Sequence, residues 1–111
     1  MLQSNPQARM VVTTAADAEE ANRLGRMLVE EHLAACVTLV PTVRSIYWWQ
    51  GEIESADECL MLLKTTEDRL EKLEARLREL HSYDTPEFLV LPIEAGSKAY
   101  LDWMQNCLRE A

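Results

Sequence analysis

Seven consecutive residues, His81-Ser82-Tyr83-Asp84-Thr85-Pro86-Glu87, gather an imidazole, a phenol and two carboxylates into one short polar stretch. Such a set has the donors to coordinate a divalent metal and the titratable groups to act as acid and base. It equally suits a histidine that closes a helix, where an imidazolium complements the C-terminal dipole, followed by a polar turn. His32 ends an earlier amphipathic segment, and there helix capping is the better reading. Lys64 closes an apolar run just before Thr65-Thr66. Its ammonium and the N–H groups of a helix start could hold an anion, or the lysine could simply snorkel from a sheet edge. Glu52, Glu54, Asp57 and Glu58 crowd one segment and could attract hard cations weakly, or keep an edge strand from aggregating. Cys36, Cys59 and Cys107 are odd in number, widely spaced and set among apolar residues. That suits reduced, buried thiols, not a disulfide framework or a CxxC centre. The chain has no HxxxH, HExxH, P-loop, GxGxxG or GxSxG pattern, and its three glycines are too scattered to cradle a phosphate.

These residues must be positioned by a small scaffold. At 111 residues the chain is one domain. Its net charge of −8 and lack of a basic run exclude the phosphate-neutralising surface that nucleic acid or anionic membrane requires. Hydrophobic residues make up 48%, enough to fold, although a domain this size buries only about two-thirds of its unfolded surface. Residues 1–8 are polar, without the apolar stretch of a signal peptide or membrane span. They are expected to be disordered or extended, ahead of a single domain over 9–111, and the expected compartment is the cytoplasm.

The elements follow from periodicity. Arg9 to Thr14 reads as a first strand; Asp17 with Glu20 makes a capping signature for a helix from about Ala18 to His32. Gly25 inside that helix marks either close approach to a neighbouring backbone or simple tolerance. Cys36 to Trp49 reads as one long strand bent at Pro41, and Gln50-Gly51 as a tight turn or a bulged loop. A two-residue turn places Tyr47, Trp49, Glu52 and Glu54 on one face and Ile46, Trp48 and Ile53 on the other. A third strand centres on Cys59 to Lys64, and Thr65 or Thr66 can cap a second helix with the stripe Leu70, Leu73, Leu77, Leu80. Pro86 starts a fourth strand, and Ser97 caps a last helix. The order predicts an α+β, ferredoxin-like βαββαβ antiparallel sheet with an additional C-terminal helix and a long hairpin between the second and third strands.

In that arrangement both main helices cover one face of the sheet, yet the strands are apolar on both faces. Leu60 and Leu62 oppose Met61 and Leu63, and Val37 and Leu39 oppose Cys36, Thr38 and Val40. Another copy of the chain is expected to bury the remaining face. Tyr47-Trp48-Trp49 at the hairpin tip suits a subunit contact, a stacking surface for a small ligand, or packing on the hairpin itself.

Several strings together resemble the CutA divalent-cation tolerance family: Glu31-His32-Leu33-Ala34-Ala35-Cys36-Val37, Ser45-Ile46-Tyr47-Trp48-Trp49 with Gly51-Glu52, Leu63-Lys64-Thr65-Thr66, His81 to Glu87, Leu91-Pro92-Ile93 and Tyr100-Leu101-Asp102-Trp103. The resemblance spans about residues 10 to 108. It implies a ferredoxin-like subunit similar to PII signalling proteins, assembled as a homotrimer whose hairpins reach onto neighbours, with no enzymatic activity and no required cofactor. Members credited with copper binding have a cysteine in the first strand and paired histidines before a Tyr-x-x-Pro-Glu motif. Those positions hold Thr13 and Leu80-His81 here. Only His81 matches as a metal ligand, so binding of copper or another divalent cation is expected to be weak. The resemblance also implies that Trp49, Lys64, Tyr83 and Glu87 meet in an inter-subunit cleft, serving a small ligand or bracing an interaction scaffold.

Overall fold

The computed structural model describes residues 1–109. In chain order the elements are β1 (Leu2–Gln3), β2 (Ala8–Ala15), α1 (Ala18–Glu30), β3 (Cys36–Trp49), β4 (Glu52–Thr66), a 3-10 turn (Glu67–Arg69), α2 (Leu70–Leu80), β5 (Leu89–Pro92), β6 (Gly96–Ser97) and α3 (Lys98–Leu108). Four strands form an antiparallel sheet in the order β3-β4-β2-β5. That is the expected ferredoxin-like arrangement. Within the leading segment, Leu2–Gln3 is extended and pairs with Gly96–Ser97 in a small second sheet.

Local chemistry explains where the helices begin and end. Asp17 Oδ1 accepts the Glu20 N–H at 2.8 Å, and Glu20 Oε1 accepts the Ala16 N–H at 2.9 Å, a reciprocal cap worth about 1 kcal/mol. Helix α1 stops at Glu30, short of the expected His32. His32 adopts the left-handed conformation (φ 58°), and Leu33 N–H turns back to the Leu28 carbonyl at 3.0 Å. A Cβ built on Gly25 lies 3.4 Å from Val37 Cγ1, so the close neighbour is a side chain and not a backbone. Neither Thr65 nor Thr66 caps α2. Both belong to β4: Thr65 donates to the Leu33 carbonyl at 2.7 Å, Thr66 donates to Asp68, and the 3-10 turn intervenes. The fourth strand begins at Leu89, three residues after Pro86. Pro86 lacks a ladder donor, and the Glu87 carbonyl accepts the Thr13 hydroxyl.

One face of the sheet holds the principal core. Val11, Met61 and Leu63 pack with Leu24 and Leu28 of α1 and Leu73 and Leu77 of α2, all fully buried. A second cluster joins Leu101, Met104 and Leu108 of α3 to Ala8 and Ala35. Helix α3 therefore covers one end of the opposite face, where Tyr100 meets Cys36. Beyond it Val40, Leu89 and Leu91 stay exposed.

The β3–β4 pair outruns the sheet. Strand β2 pairs only as far as Cys59, so Val43–Trp49 and Glu52–Glu58 continue as a two-stranded ribbon. The register slips between Val40 and Val43, a bulge at Pro41-Thr42 where the bend was expected. Gln50 (φ 50°) and Gly51 (φ 83°) make the two-residue turn, and Trp49 opposes Glu52 as that turn demands. The radius of gyration is 14.8 Å, against about 13 Å for a compact chain of this length, because the ribbon projects.

Candidate functional site

A cleft of about 770 Å³ opens where the ribbon leaves the sheet. Ser45, Tyr47 and Trp49 line it from β3 and Glu58 from β4. These four share one face, because Val43 opposite Glu58 and Tyr47 opposite Glu54 fix the alternation beyond the bulge. The other wall is the loop after α2, which contributes Tyr83, Asp84, Thr85 and Glu87.

That loop is held by a chain of hydrogen bonds. His81 Nε2 lies 2.7 Å from the Thr14 carbonyl, and His81 Nδ1 accepts the Tyr83 N–H at 3.0 Å. Both ring nitrogens of His81 are thus engaged, and neither is free to coordinate. Its ring stacks obliquely on Tyr83, the centroids 4.7 Å apart. Glu20 Oε2 accepts the Ser82 N–H at 2.8 Å, and Arg23 stands 3.8 Å away. Burial alone would raise the Glu20 carboxyl, but the N–H groups of Ala16 and Ser82 outweigh it and hold the group below its ordinary range. The N-terminal cap of α1 therefore also clamps the start of the cleft loop.

Tyr83 Oη donates to Glu58 Oε2 at 2.8 Å, joining the two walls. Burial, then this bond to a carboxylate, raises the Tyr83 phenol well above its ordinary value, so it remains a donor through neutral and mildly alkaline pH. Every charged side chain lining the cleft is acidic: Glu58, Asp84 and Glu87. The arrangement favours a cation and offers no counter-charge to an anion.

Of the residues singled out in the sequence, one chain brings Trp49, Tyr83 and Glu87 together. Lys64 lies elsewhere. Its Nζ donates to Thr38 Oγ1 at 2.7 Å, six residues along β4 from Glu58 and so about 20 Å away. The first helix-start amide is engaged as well, since Glu67 N–H bonds the Gln7 carbonyl. Thr13 is fully buried with its hydroxyl donated to the Glu87 carbonyl, and Leu80 supplies no donor. Among the described residues no three His, Cys, Asp or Glu side chains group closely enough to hold a metal ion. His32 Nδ1 lies 3.0 Å from the Cys107 carbonyl, tying α1 to α3. All three cysteines are free, and burial raises the Cys59 thiol.

Two residues that matter were not singled out as site residues. With Glu52, Glu54 and Asp57, Glu58 reads from the sequence as a weak attractor of hard cations or an edge-protecting charge, yet it falls on the face that Leu60 and Leu62 continue, and that parity is the signal that sets it apart. Glu20 was legible as a cap, but its bond to Ser82, 62 residues away, has no local signature.

The family model described as CutA1 divalent ion tolerance protein matches residues 9–107. The divalent-cation tolerance protein CutA of Thermus thermophilus is 46% identical over 97 residues, 87% of this chain and 94% of that protein. The Pectobacterium atrosepticum protein of the same description is 44% identical, over 92% of this chain and 93% of its own length. A chloroplastic relative from rice, Protein CutA 1, is 39% identical, and the chain spans only 58% of its length. Among solved structures, CutA from Synechococcus elongatus superposes with a TM-score of 0.95 at 38% identity, covering 98% of this chain and 96% of that one.

Proposed function

The chain belongs to the CutA1 divalent ion tolerance family, and from that premise we propose that it acts as a non-enzymatic homotrimer in the cytoplasm, attracting divalent cations weakly and without a dedicated copper centre. The acidic cleft carries this reading: three carboxylates line it and no basic side chain does. Three chains together would carry a charge of about −24, a field that concentrates cations without a built coordination shell. Trimer formation is supported by the apolar surface left on the sheet and ribbon, where Leu89, Ile53 and Trp48 are 58%, 64% and 71% exposed. His81 enters as a ligand only if it gives up a hydrogen bond that holds the loop. Copper titration against a competing chelator should show weak, poorly saturating binding. A stoichiometric submicromolar site abolished by His81→Ala would overturn the proposal, as would a purely monomeric species in sedimentation at micromolar concentration.

A second reading rests on a different observation. Trp49, Tyr47 and buried Glu58 line a cleft far larger than a metal ion needs. The trimer would then be a PII-like sensor of a small ligand, or a scaffold for a protein partner, with Lys64 of a neighbouring copy completing the cleft. A thermal shift with a ligand that vanishes in Lys64→Ala supports the sensor. Weakened assembly in Lys64→Ala, with the response intact, supports the scaffold.

A further inference from the structure

Two of the three acids that line the cleft, Asp84 and Glu87, belong to a loop with no backbone-to-backbone hydrogen bond of its own from Ser82 to Glu87 among the described residues. Three buried side chains hold that loop instead: Thr13, Glu20 and His81. At its start, His81 Nε2 meets the Thr14 carbonyl, His81 Nδ1 accepts the Tyr83 N–H, and Glu20 Oε2 accepts the Ser82 N–H. At its end, Thr13 donates its hydroxyl to the Glu87 carbonyl. Both ends therefore land on two consecutive residues of β2. Strand β5 pairs with β2 only from Arg9 to Val12, so Thr13 and Thr14 lie just past that ladder, and the loop rather than β5 satisfies the Thr14 carbonyl.

Thr13 and His81 occupy positions where the family resemblance implies metal ligands, and neither fits that use. The Thr13 hydroxyl is committed to Glu87, both His81 nitrogens are engaged, and no three donor side chains group together among the described residues. Deepening the acidic-cleft reading, on which this inference rests, we propose that Thr13, Glu20 and His81 are positioning residues: by fastening both ends of the loop they hold Asp84 and Glu87 on the wall that faces Glu58. None of the three needs to touch a cation. The Tyr83 hydroxyl, donated to Glu58 Oε2 at 2.8 Å, then closes the span between the walls. A loop with so few anchors opens as one unit. Cutting the bond at Glu87 therefore loosens Ser82 and Tyr83, which Thr13 does not touch.

The test is NMR of the native assembly, reading amide hydrogen exchange and the line broadening caused by manganese(II), a paramagnetic ion that favours carboxylates. In Thr13→Val the Ser82 and Tyr83 amides should exchange about tenfold faster or more, while those of Leu24 and Leu28 in the core stay unchanged. Thr13→Ser, which keeps the hydroxyl, should behave as wild type. In wild type, manganese should broaden Asp84 and Glu87 more than Glu71, an exposed acid on α2, and Thr13→Val should lower that preference about threefold or more. His81→Ala cuts the other end, should lower it similarly, and guards against a Thr13→Val chain that does not fold. Unchanged exchange in folded Thr13→Val overturns the proposal and leaves the acidic cleft standing. Faster exchange with undiminished broadening also overturns it, since the fastening is then structural only. Wild-type broadening no greater at Asp84 and Glu87 than at Glu71 overturns the acidic-cleft reading, and the positioning role with it. Stoichiometric broadening of Tyr83 by copper(II), abolished in His81→Ala, would make His81 a ligand and overturn the proposal from the other side.

Discussion

The β3–β4 pair is one continuous ladder with two unlike halves. Up to Cys59, Met61 and Leu63 lie beneath α1 and α2 with no exposed surface, whereas beyond it Ile46 and Trp48 are each 71% exposed. The residue types are comparable, so hydrophobicity alone does not decide their fate. What differs is cover: β2 stops pairing at Cys59, and no helix lies over the ribbon. An isolated two-stranded ribbon is marginal in water. Apolar residues in the covered half therefore stabilise the chain itself, while those in the projecting half are available to something outside it.

Leu77→Ala tests the covered half most severely. Leu77 is fully buried against the sheet, and its truncation should cost about 2–5 kcal/mol in urea unfolding. A loss below about 1 kcal/mol would mean that this face is not the stabilising core. Glu20→Ala comes next, at about 1–3 kcal/mol, because it strands the Ala16 and Ser82 N–H groups. The sign of its pH dependence follows from the lowered Glu20 carboxyl. Its contribution is complete above the unfolded value, about 4.3, and disappears as pH falls through the lower folded one. Between pH 7 and pH 3 wild type should lose more stability than Glu20→Gln. Parallel losses would show that this clamp does not hold the folded state.

Periodicity and capping made most of this architecture legible: the α2 leucine stripe, the Asp17–Glu20 cap, the bend at Pro41 and the hairpin register are local, and all are present. What was illegible is long-range. Tyr83 and Glu58 are 25 residues apart, and no spacing rule joins a loop phenol to a strand carboxylate. The resemblance joins Lys64 to Tyr83 and Glu87 across subunits, a contact that no spacing rule within one chain expresses, and within one chain strand rise separates Lys64 from Glu58. Gly25 shows the same limit on a smaller scale. Its place inside a helix leaves close approach to a backbone and simple tolerance equally open. Since the neighbour is the Val37 side chain at ordinary contact distance, Gly25→Ala should gain at most about 1 kcal/mol from helix propensity. A loss of similar size in urea unfolding would show that α1 and β3 cannot part by a few tenths of an ångström.

Trp48→Ser should have the smallest effect on the chain alone and separates the two halves most cleanly. At 71% exposure its ring is largely uncovered by its own chain, so intrinsic stability should change by less than about 0.5 kcal/mol. If a second copy covers the ribbon, the same substitution removes a large aromatic anchor from a subunit contact. Stability that depends on association rises with protein concentration, whereas core stability does not. Unfolding midpoints measured across a hundredfold dilution series should therefore show a deficit in Trp48→Ser that grows with concentration and a deficit in Leu77→Ala that stays constant. Equal deficits at every concentration would place Trp48 in the chain's own fold and erase the distinction between the two halves. No deficit at any concentration, with sedimentation unchanged, would remove the ribbon tip from the subunit contact and leave the exposed sheet face around Leu89 and Leu91 to account for assembly.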